Sequence, residues 1–281
     1  MAAIRALQRC GRHIFQGFLV EIGYIFSGLM VGILVGITGV GGGSLMTPLL
    51  VFLFNFSPAV AVGTDLLFAA ITKAGGVWVH HGTHGSVDWK ITRQLAYGSL
   101  PAAVVTIMVL RHLDQQSKDI SGVITYSLGI ALILTAIAVL IRSYLLRHAP
   151  PLTEESSEGR FGKWQPAVTV LVGITLGVLV TLSSVGAGAL GTVALFFLYP
   201  RLPAIKVVGT DLAHAIPLTA LAGTGHWALG NVNFTLLATL LIGSLPGIWI
   251  GSHLSARIPD KILRPALAVL LMLIGFKFVT N

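Results

Sequence analysis

Apolar segments about as long as a membrane is thick recur along the whole chain. The hydrocarbon core of a bilayer is about 30 Å thick, and roughly 20 helical residues cross it. Of the 281 residues 54% are hydrophobic and only 10% are charged, which is too little polar surface to cover a soluble protein of this size. We therefore predict an all-α polytopic membrane protein. Its predicted full-length spans are residues 59–79, 91–110, 120–141, 203–227, 234–252 and 262–279.

Two further apolar regions, residues 22–56 and 166–199, are too long for one crossing and carry glycine-rich interruptions. The interruptions read "TGVGGGS" and "SSVGAGA". A glycine destabilises a helix interior by about 1 kcal/mol relative to alanine, so we expect both helices to break there. Each region then forms two short spans or a re-entrant hairpin. Its non-helical backbone must be buried in protein or line a cavity.

The two broken regions belong to an internal repeat. Adding 145 to a residue number carries "VGGGSLMTP" at Val40 onto "VGAGALGTV" at Val185, and "GSLP" at Gly98 onto "GSLP" at Gly243. The same offset also pairs Pro58 with Pro203, His81 with His226, and Gly85 with Gly230. With one residue inserted, "GTDL" at Gly63 meets "GTDL" at Gly209. We therefore predict two homologous halves, a common architecture of secondary transporters.

Each predicted half has a glycine-broken hairpin or short-helix pair followed by three transmembrane helices. The resulting odd number of full crossings makes the halves inverted repeats. We expect an N-terminal tail at residues 1–21, a first repeat at 22–141, a polar linker at 142–165 and a second repeat at 166–281. More lysines and arginines lie on the linker side, which the positive-inside rule assigns to the cytoplasm, although the basic N-terminal tail opposes this orientation.

The net charge of +8 is explained by basic residues that flank membrane spans and face anionic lipid, so nucleic-acid binding is not predicted. The single cysteine, Cys10, excludes a disulfide framework and a multi-cysteine metal site. No Walker motif is visible in the sequence, and no cofactor is predicted.

The glycine-rich interruptions predict a site for an anion near the middle of the membrane. A glycine turn that leads into a short helix presents free N–H groups and a partial positive charge, and neighbouring hydroxyls add donors. The alternative is that small residues merely allow close helix packing. The candidate binding residues are Gly39, Gly41, Gly42, Gly43, Ser44 and Thr47 in the first turn, and Ser183, Ser184, Gly186 and Gly188 in the second.

The motifs that follow the glycine turns resemble the TauE/SafE family of sulfite and sulfonate exporters. They read "SPAVAVGTDLLFAAITKAGGVWVHHGTHGSVDW" and, in the second half, "LPAIKVVGTDLAHAIPLTALAGTGHWALGNVNF". The resemblance implies transport of small organosulfur anions such as sulfite, thiosulfate or sulfoacetate across a bacterial inner membrane. It also adds Thr64 and Thr210, from the two "GT" elements, to the candidate binding residues.

Ionisable residues inside predicted spans are rare and usually functional. Asp65 and Asp211 follow the two Gly-Thr pairs, and each either carries a coupling proton or sodium ion or accepts hydrogen bonds that lock the broken hairpin of its own half. Lys73 has no charged counterpart in the second half, and it either balances a bound anion, reaches the interface or pairs with Asp65. His214 is either a polar contact of the substrate or a buried neutral histidine.

The "HHGTH" stretch, with His80, His81 and His84, has the spacing of a metal site. However, Gly82 and Gly85 indicate a turn, no HExxH pattern follows, and a helix-capping or interfacial role fits better. The leading hypothesis is a secondary transporter in which the glycine turns and Lys73 hold the anion while the two halves rock. A divalent metal-ion permease and a metal-dependent membrane enzyme that uses this stretch are the alternatives.

Overall fold

The computed structural model describes residues 23–33, 37, 43–84, 87–116, 120–147, 159–254 and 260–280. These residues form ten α-helices and contain no strand, so the predicted all-α class is confirmed for the described part of the chain. A short 3-10 helix, Gly162–Trp164, precedes α6. The α-helices are α1 Gly23–Ile33, α2 Gly43–Phe52, α3 Pro58–His84, α4 Trp89–Gln115, α5 Ile120–Arg147, α6 Gln165–Ser183, α7 Leu190–Leu198, α8 Ala204–Ala228, α9 Phe234–Leu254 and α10 Asp260–Thr280.

Five helices among the described residues, α4, α5, α6, α8 and α9, are long and apolar enough to cross a membrane. Four of them coincide with predicted full-length spans, and α3 and α10 occupy the other two. The fifth, α6, comes from the second glycine-broken region, which therefore contains one full-length helix rather than two short spans. The remaining part of that region, α7, has nine residues, and at 1.5 Å per residue it is about 13 Å long, roughly half the hydrocarbon thickness.

Local sequence explains where the helices begin and end. Pro58 opens α3, a position at which its missing N–H is not needed. The Asp88 carboxylate accepts hydrogen bonds from the backbone N–H groups of Lys90 and Ile91 and so caps α4. At the second glycine-rich interruption α6 ends at Ser183, and the chain passes through Ser184 (φ 57°), Gly186 (φ 112°) and Gly188 (φ 126°) before α7 begins. Glycine adopts these left-handed angles without strain.

The chain forms two compact units, and the larger one comprises residues 40–232 and 259–281. In this unit α3 packs on α8, α4 packs on α6 and α8, and α5 packs on α10. The backbones of α4 and α6 approach so closely that a β-carbon at Gly173 would collide with the Leu95 carbonyl, and one at Gly177 with the Ser99 carbonyl. Such close contact through small residues is typical of helix pairs in membranes.

The smaller unit comprises residues 1–39 and 233–258, and its described helices are α1 and α9. They too meet backbone to backbone. A β-carbon at Gly28 would collide with the Leu240 carbonyl, and one at Gly32 with the Ser244 carbonyl. Glycine is therefore required at these positions of α1 for the two helices to touch.

Candidate functional site

Two buried carboxylates, one in each predicted half, are each bonded to a threonine of a short helix. Asp65 Oδ2 on α3 is 2.6 Å from Thr47 Oγ1 on α2. Asp211 Oδ2 on α8 is 2.9 Å from Thr192 Oγ1 on α7. All four side chains are buried. The short helix of each half is thereby tied to the helix that carries the aspartate.

The second oxygen of each carboxylate, Oδ1, is buried without a hydrogen-bond partner among the described residues. Asp211 Oδ1 lies against Gly191, at the place that a β-carbon of that residue would occupy. Ser184, just after α6, lies near the Asp65 carboxylate, and its buried hydroxyl makes no hydrogen bond within the described residues. The turn after α6 therefore brings a hydroxyl from the second half to the aspartate of the first.

The Lys73 ammonium on α3 is buried and donates a hydrogen bond of 2.9 Å to the carbonyl oxygen of Ala187. Ala187 lies in the turn between α6 and α7. Lys73 therefore neither reaches the interface nor forms a direct ion pair with Asp65 among the described residues, although the charges of Asp65 and Asp211 both act on it. The lysine of the first half is held by the broken backbone of the second.

His214 lies one turn after Asp211 on α8, and its Nε2 is 2.7 Å from Ser99 Oγ on α4. Both side chains are buried, and His214 Nδ1 has no partner among the described residues. The distance does not fix the direction of this bond; if the Ser99 hydroxyl donates to Nε2, Nδ1 carries the imidazole proton. His214 then offers one N–H donor close enough to Lys73 for the two to interact electrostatically.

Two other predicted binding residues, Ser183 and Thr210, form hydrogen bonds with backbone groups. The Ser183 hydroxyl donates to the Leu179 carbonyl (2.6 Å) and accepts from the Val185 N–H (3.1 Å), so it closes the end of α6. The Thr210 hydroxyl accepts from the Asp88 N–H (2.9 Å), which ties α8 to the start of α4. Thr64 is fully buried.

Several predicted residues lie outside the described part. They are Gly39, Gly41 and Gly42, the surroundings of Gly43 at the start of α2, and the side chains of Ser44, His80, His81 and His84. The backbone stays helical through His84, so the turn expected at Gly82 does not form. His226, which the repeat pairs with His81, is buried on α8 and bonds the Thr181 carbonyl at 2.9 Å.

Two polar residues near the site were not predicted. Ser99 was not singled out because a serine in an apolar helix carries no local signal of its partner, which is 115 residues away in the sequence. Arg142 was assigned to the polar linker, but it lies inside α5, is buried, and its charge acts on Asp211. Its position one heptad after the buried Thr135 was a usable signal, because the two lie on one helix face.

Comparison with known proteins now identifies the family. Residues 24–278 match the profile described as sulfite exporter TauE/SafE. The chain belongs to the TauE/SafE family. It is 37% identical to the probable membrane transporter protein YjnA of Bacillus subtilis over 92% of this chain and 100% of the relative. It is also 28% identical to YdhB of the same bacterium, over 87% of this chain and 96% of the relative.

A more distant TauE/SafE relative comes from an archaeon. The probable membrane transporter protein MJ0441 of Methanocaldococcus jannaschii is 25% identical over 89% of this chain and 92% of the relative. No solved structure matches the chain. TauE/SafE proteins are membrane transporters rather than enzymes, so the site around Lys73 belongs to a multi-pass transport protein.

Proposed function

We propose that the protein is a secondary transporter that exports small organosulfur anions across a bacterial inner membrane by alternating access. The substrate class is sulfite, thiosulfate or a sulfonate such as sulfoacetate. The observation that carries this proposal is the buried ammonium of Lys73, which has no direct carboxylate partner among the described residues. A charge buried in this way is costly unless it is paired, and an anionic substrate supplies the missing partner.

Lys73 retains the donors that such a substrate needs. A lysine ammonium has three N–H donors, and within the described part of the chain Lys73 uses one of them, in the bond to the Ala187 carbonyl. The unpartnered Nδ1 of His214 and the Ser184 hydroxyl offer further donors in the same neighbourhood. A sulfur oxyanion, whose several oxygens accept hydrogen bonds in different directions, suits this set better than a carboxylate.

Packing contacts support the predicted inverted repeats, 22–141 and 166–281, with the tail 1–21 outside them and α5 extending past the predicted start of the linker to Arg147. Gly28 meets Leu240 in the smaller unit, and Gly173 meets Leu95 in the larger. Adding 145 to 28 gives 173, and subtracting 145 from 240 gives 95. The same exchange carries the Gly32–Ser244 contact onto Gly177–Ser99. Each contact therefore recurs with the two halves exchanged, as a two-fold relation requires.

These contacts also bear on how the transporter moves. The close pairs α1–α9, α4–α6, α3–α8 and α5–α10 each join a helix of the first half to a helix of the second. One half cannot rock as a rigid body against the other without separating helices that have no space between their backbones. Alternating access in this protein therefore moves inter-half helix pairs past one another. The glycine-rich turn between α6 and α7 is the place where the chain can bend.

The membrane potential favours the proposed direction. The cell interior is negative, so an anion leaves downhill by about 2.3 kcal/mol per net charge at 100 mV. Export therefore runs on the potential and the substrate gradient, whereas uptake would need a co-transported cation.

The experiment that tests the proposal compares binding and transport in one panel. Purified wild type, Lys73→Met and the exposed control Lys163→Met are heated with sulfite, thiosulfate, sulfoacetate, acetate, phosphate or Zn²⁺, and efflux of the same anions is followed from proteoliposomes. We expect a sulfur oxyanion to raise the melting temperature of wild type and Lys163→Met but not of Lys73→Met. Stabilisation by Zn²⁺ alone, or anion effects that survive in Lys73→Met, would refute the proposal.

A further inference from the structure

A groove of about 650 Å³ lies between α5, α6 and α7 in the larger unit. Its lining is apolar except for Arg160 and Thr175. Three of the apolar side chains, Leu134, Ile141 and Phe197, are between 40% and 53% exposed, so the groove is open at its side. In a protein that spans a membrane, such an opening faces acyl chains, which are as apolar as leucine.

The groove is about as deep as one leaflet of a bilayer. Along α5 its lining extends from Leu145 to Leu134, which at 1.5 Å per residue is about 16 Å. Half of a hydrocarbon core about 30 Å thick is about 15 Å. The half-length helix α7 forms another wall over its whole length, because both Leu190 and Leu198 line the groove. The depth therefore suits an acyl chain of a single leaflet.

The end of the groove beside Arg160 lies at the membrane surface. The spanning helix α6 begins at Gln165, and Trp164 just before it is 75% exposed. Exposed tryptophans at the end of a span are typical of the headgroup level. The backbone N–H of Arg160 donates a hydrogen bond of 2.9 Å to the carbonyl oxygen of Leu198, at the end of α7. This bond holds the arginine at the headgroup end of the groove.

The Arg160 side chain is suited to a phosphate group. Its guanidinium carbon lies 4.5 Å from the centre of the Phe197 ring, and both side chains line the groove. A cation–π contact occupies no hydrogen-bond acceptor, and a guanidinium binds phosphate through parallel N–H donors. The charged residues from position 159 to 204 are Arg160, Lys163 and Arg201, which are all basic. This end of the groove therefore attracts an anionic headgroup.

We propose that the groove binds an anionic phospholipid, with an acyl chain between α5, α6 and α7 and the phosphate on Arg160. The bound lipid supports the turn that holds Lys73. Leu190, which lines the groove, donates its backbone N–H to the Gly186 carbonyl at 3.0 Å. The next residue, Ala187, accepts the hydrogen bond of Lys73. An acyl chain against Leu190 therefore packs directly behind this turn.

Native mass spectrometry of the full-length protein tests the site. The protein is delipidated and then titrated with phosphatidylglycerol or with zwitterionic phosphatidylcholine. We expect phosphatidylglycerol to bind at lower concentration and to raise the melting temperature more. Arg160→Met should weaken phosphatidylglycerol binding several-fold, whereas Lys163→Met, which removes a nearby exposed charge outside the groove lining, should leave it nearly unchanged. Equal losses in both variants would indicate general attraction to basic residues and overturn the proposal.

A second variant keeps the arginine and fills the groove. Ala194 on α7 lines the groove, so Ala194→Trp should exclude the acyl chain and reduce phosphatidylglycerol binding although Arg160 is present. The control is Val109→Trp, at an exposed position on α4 away from the groove, and it should bind the lipid like the wild type. Unchanged phosphatidylglycerol binding in Ala194→Trp would overturn the proposal.

The same spectra distinguish two other occupants of the groove. A second copy of the chain would appear as a dimer that Ala194→Trp dissociates and that binds no phosphatidylglycerol. The acidic residues of the linker, Glu154, Glu155 and Glu158, would be the occupant if the lipid bound only after their replacement by glutamine. Either result would overturn the proposal. The measurements use no sulfur oxyanion, so they stand or fall separately from the proposed transport function.

Discussion

Replacement of Thr47 by valine should destabilise the protein through one hydrogen bond. Valine has nearly the shape of threonine, so the change leaves no cavity. It removes the hydroxyl that donates to Asp65 Oδ2 over 2.6 Å, a length typical of bonds to an ionised carboxylate, at a site where both side chains are fully buried. A hydrogen bond to a charged group contributes about 1.5–3 kcal/mol, and an unsatisfied buried acceptor adds its desolvation penalty. We therefore expect Thr47→Val to lower the free energy of unfolding by at least about 1.5 kcal/mol.

The assay is reversible denaturant unfolding in mixed micelles, followed by circular dichroism. Thr47→Ser is the control, because it keeps the donor and loses one methyl group, worth about 0.8 kcal/mol. The same substitutions are repeated on an Asp65→Asn background, where the threonine donates to a neutral amide and its bond is worth about 0.5–1.5 kcal/mol. The reasoning would be refuted if Thr47→Val were as stable as Thr47→Ser. It would also be refuted if Thr47→Val were equally destabilising in both backgrounds, since the bond would then not depend on an ionised Asp65.

Three further predictions test the packing, the site and the direction. Gly173→Val and Gly28→Val should lower the melting temperature by similar amounts, because each forces a side chain into a facing backbone carbonyl; damage confined to one of them would contradict the two-fold relation. Ser99→Ala should weaken the thermal shift produced by a sulfur oxyanion, because His214 is no longer fixed as a donor, and Ser99→Thr should restore it; an unchanged shift in Ser99→Ala would remove His214 from the site. An inside-negative potential of about 100 mV should accelerate thiosulfate efflux from proteoliposomes, since each net charge gains about 2.3 kcal/mol; efflux that slows would argue for uptake.

The sequence was sufficient for the features that depend on local composition. Apolar length predicted the helices, and the glycine-rich stretch after Ser183 predicted the break between α6 and α7. Hydropathy did not predict how unequal in length these two helices are. The left-handed residue Ser184 follows α6 only after a full-length span, and hydropathy carries no signal of that position. The assignment of Arg142 to the linker was wrong for a related reason. A charged residue after an apolar run usually marks the end of a membrane span, and the sequence did not show that Arg142 is buried near the charge of Asp211.

The site was predicted in its parts but not in its connections. The repeat singled out Asp65 and Asp211, and the lack of a counterpart singled out Lys73. The partner of Lys73 is a backbone carbonyl 114 residues away, and a carbonyl leaves no trace in the identity of Ala187.

The close pairing of helices that are far apart in the sequence has a consequence for biosynthesis. When α4 leaves the ribosome, α6, whose glycines allow it to pack on α4, has not yet been made. The delay between the synthesis of α1 and that of its partner α9 is longer still. The first half therefore enters the membrane with its packing faces uncovered, and it is a natural client of membrane chaperones until the second half is inserted. For the same reason the halves, expressed as two separate polypeptides, should each be degraded alone and rescued when they are made together.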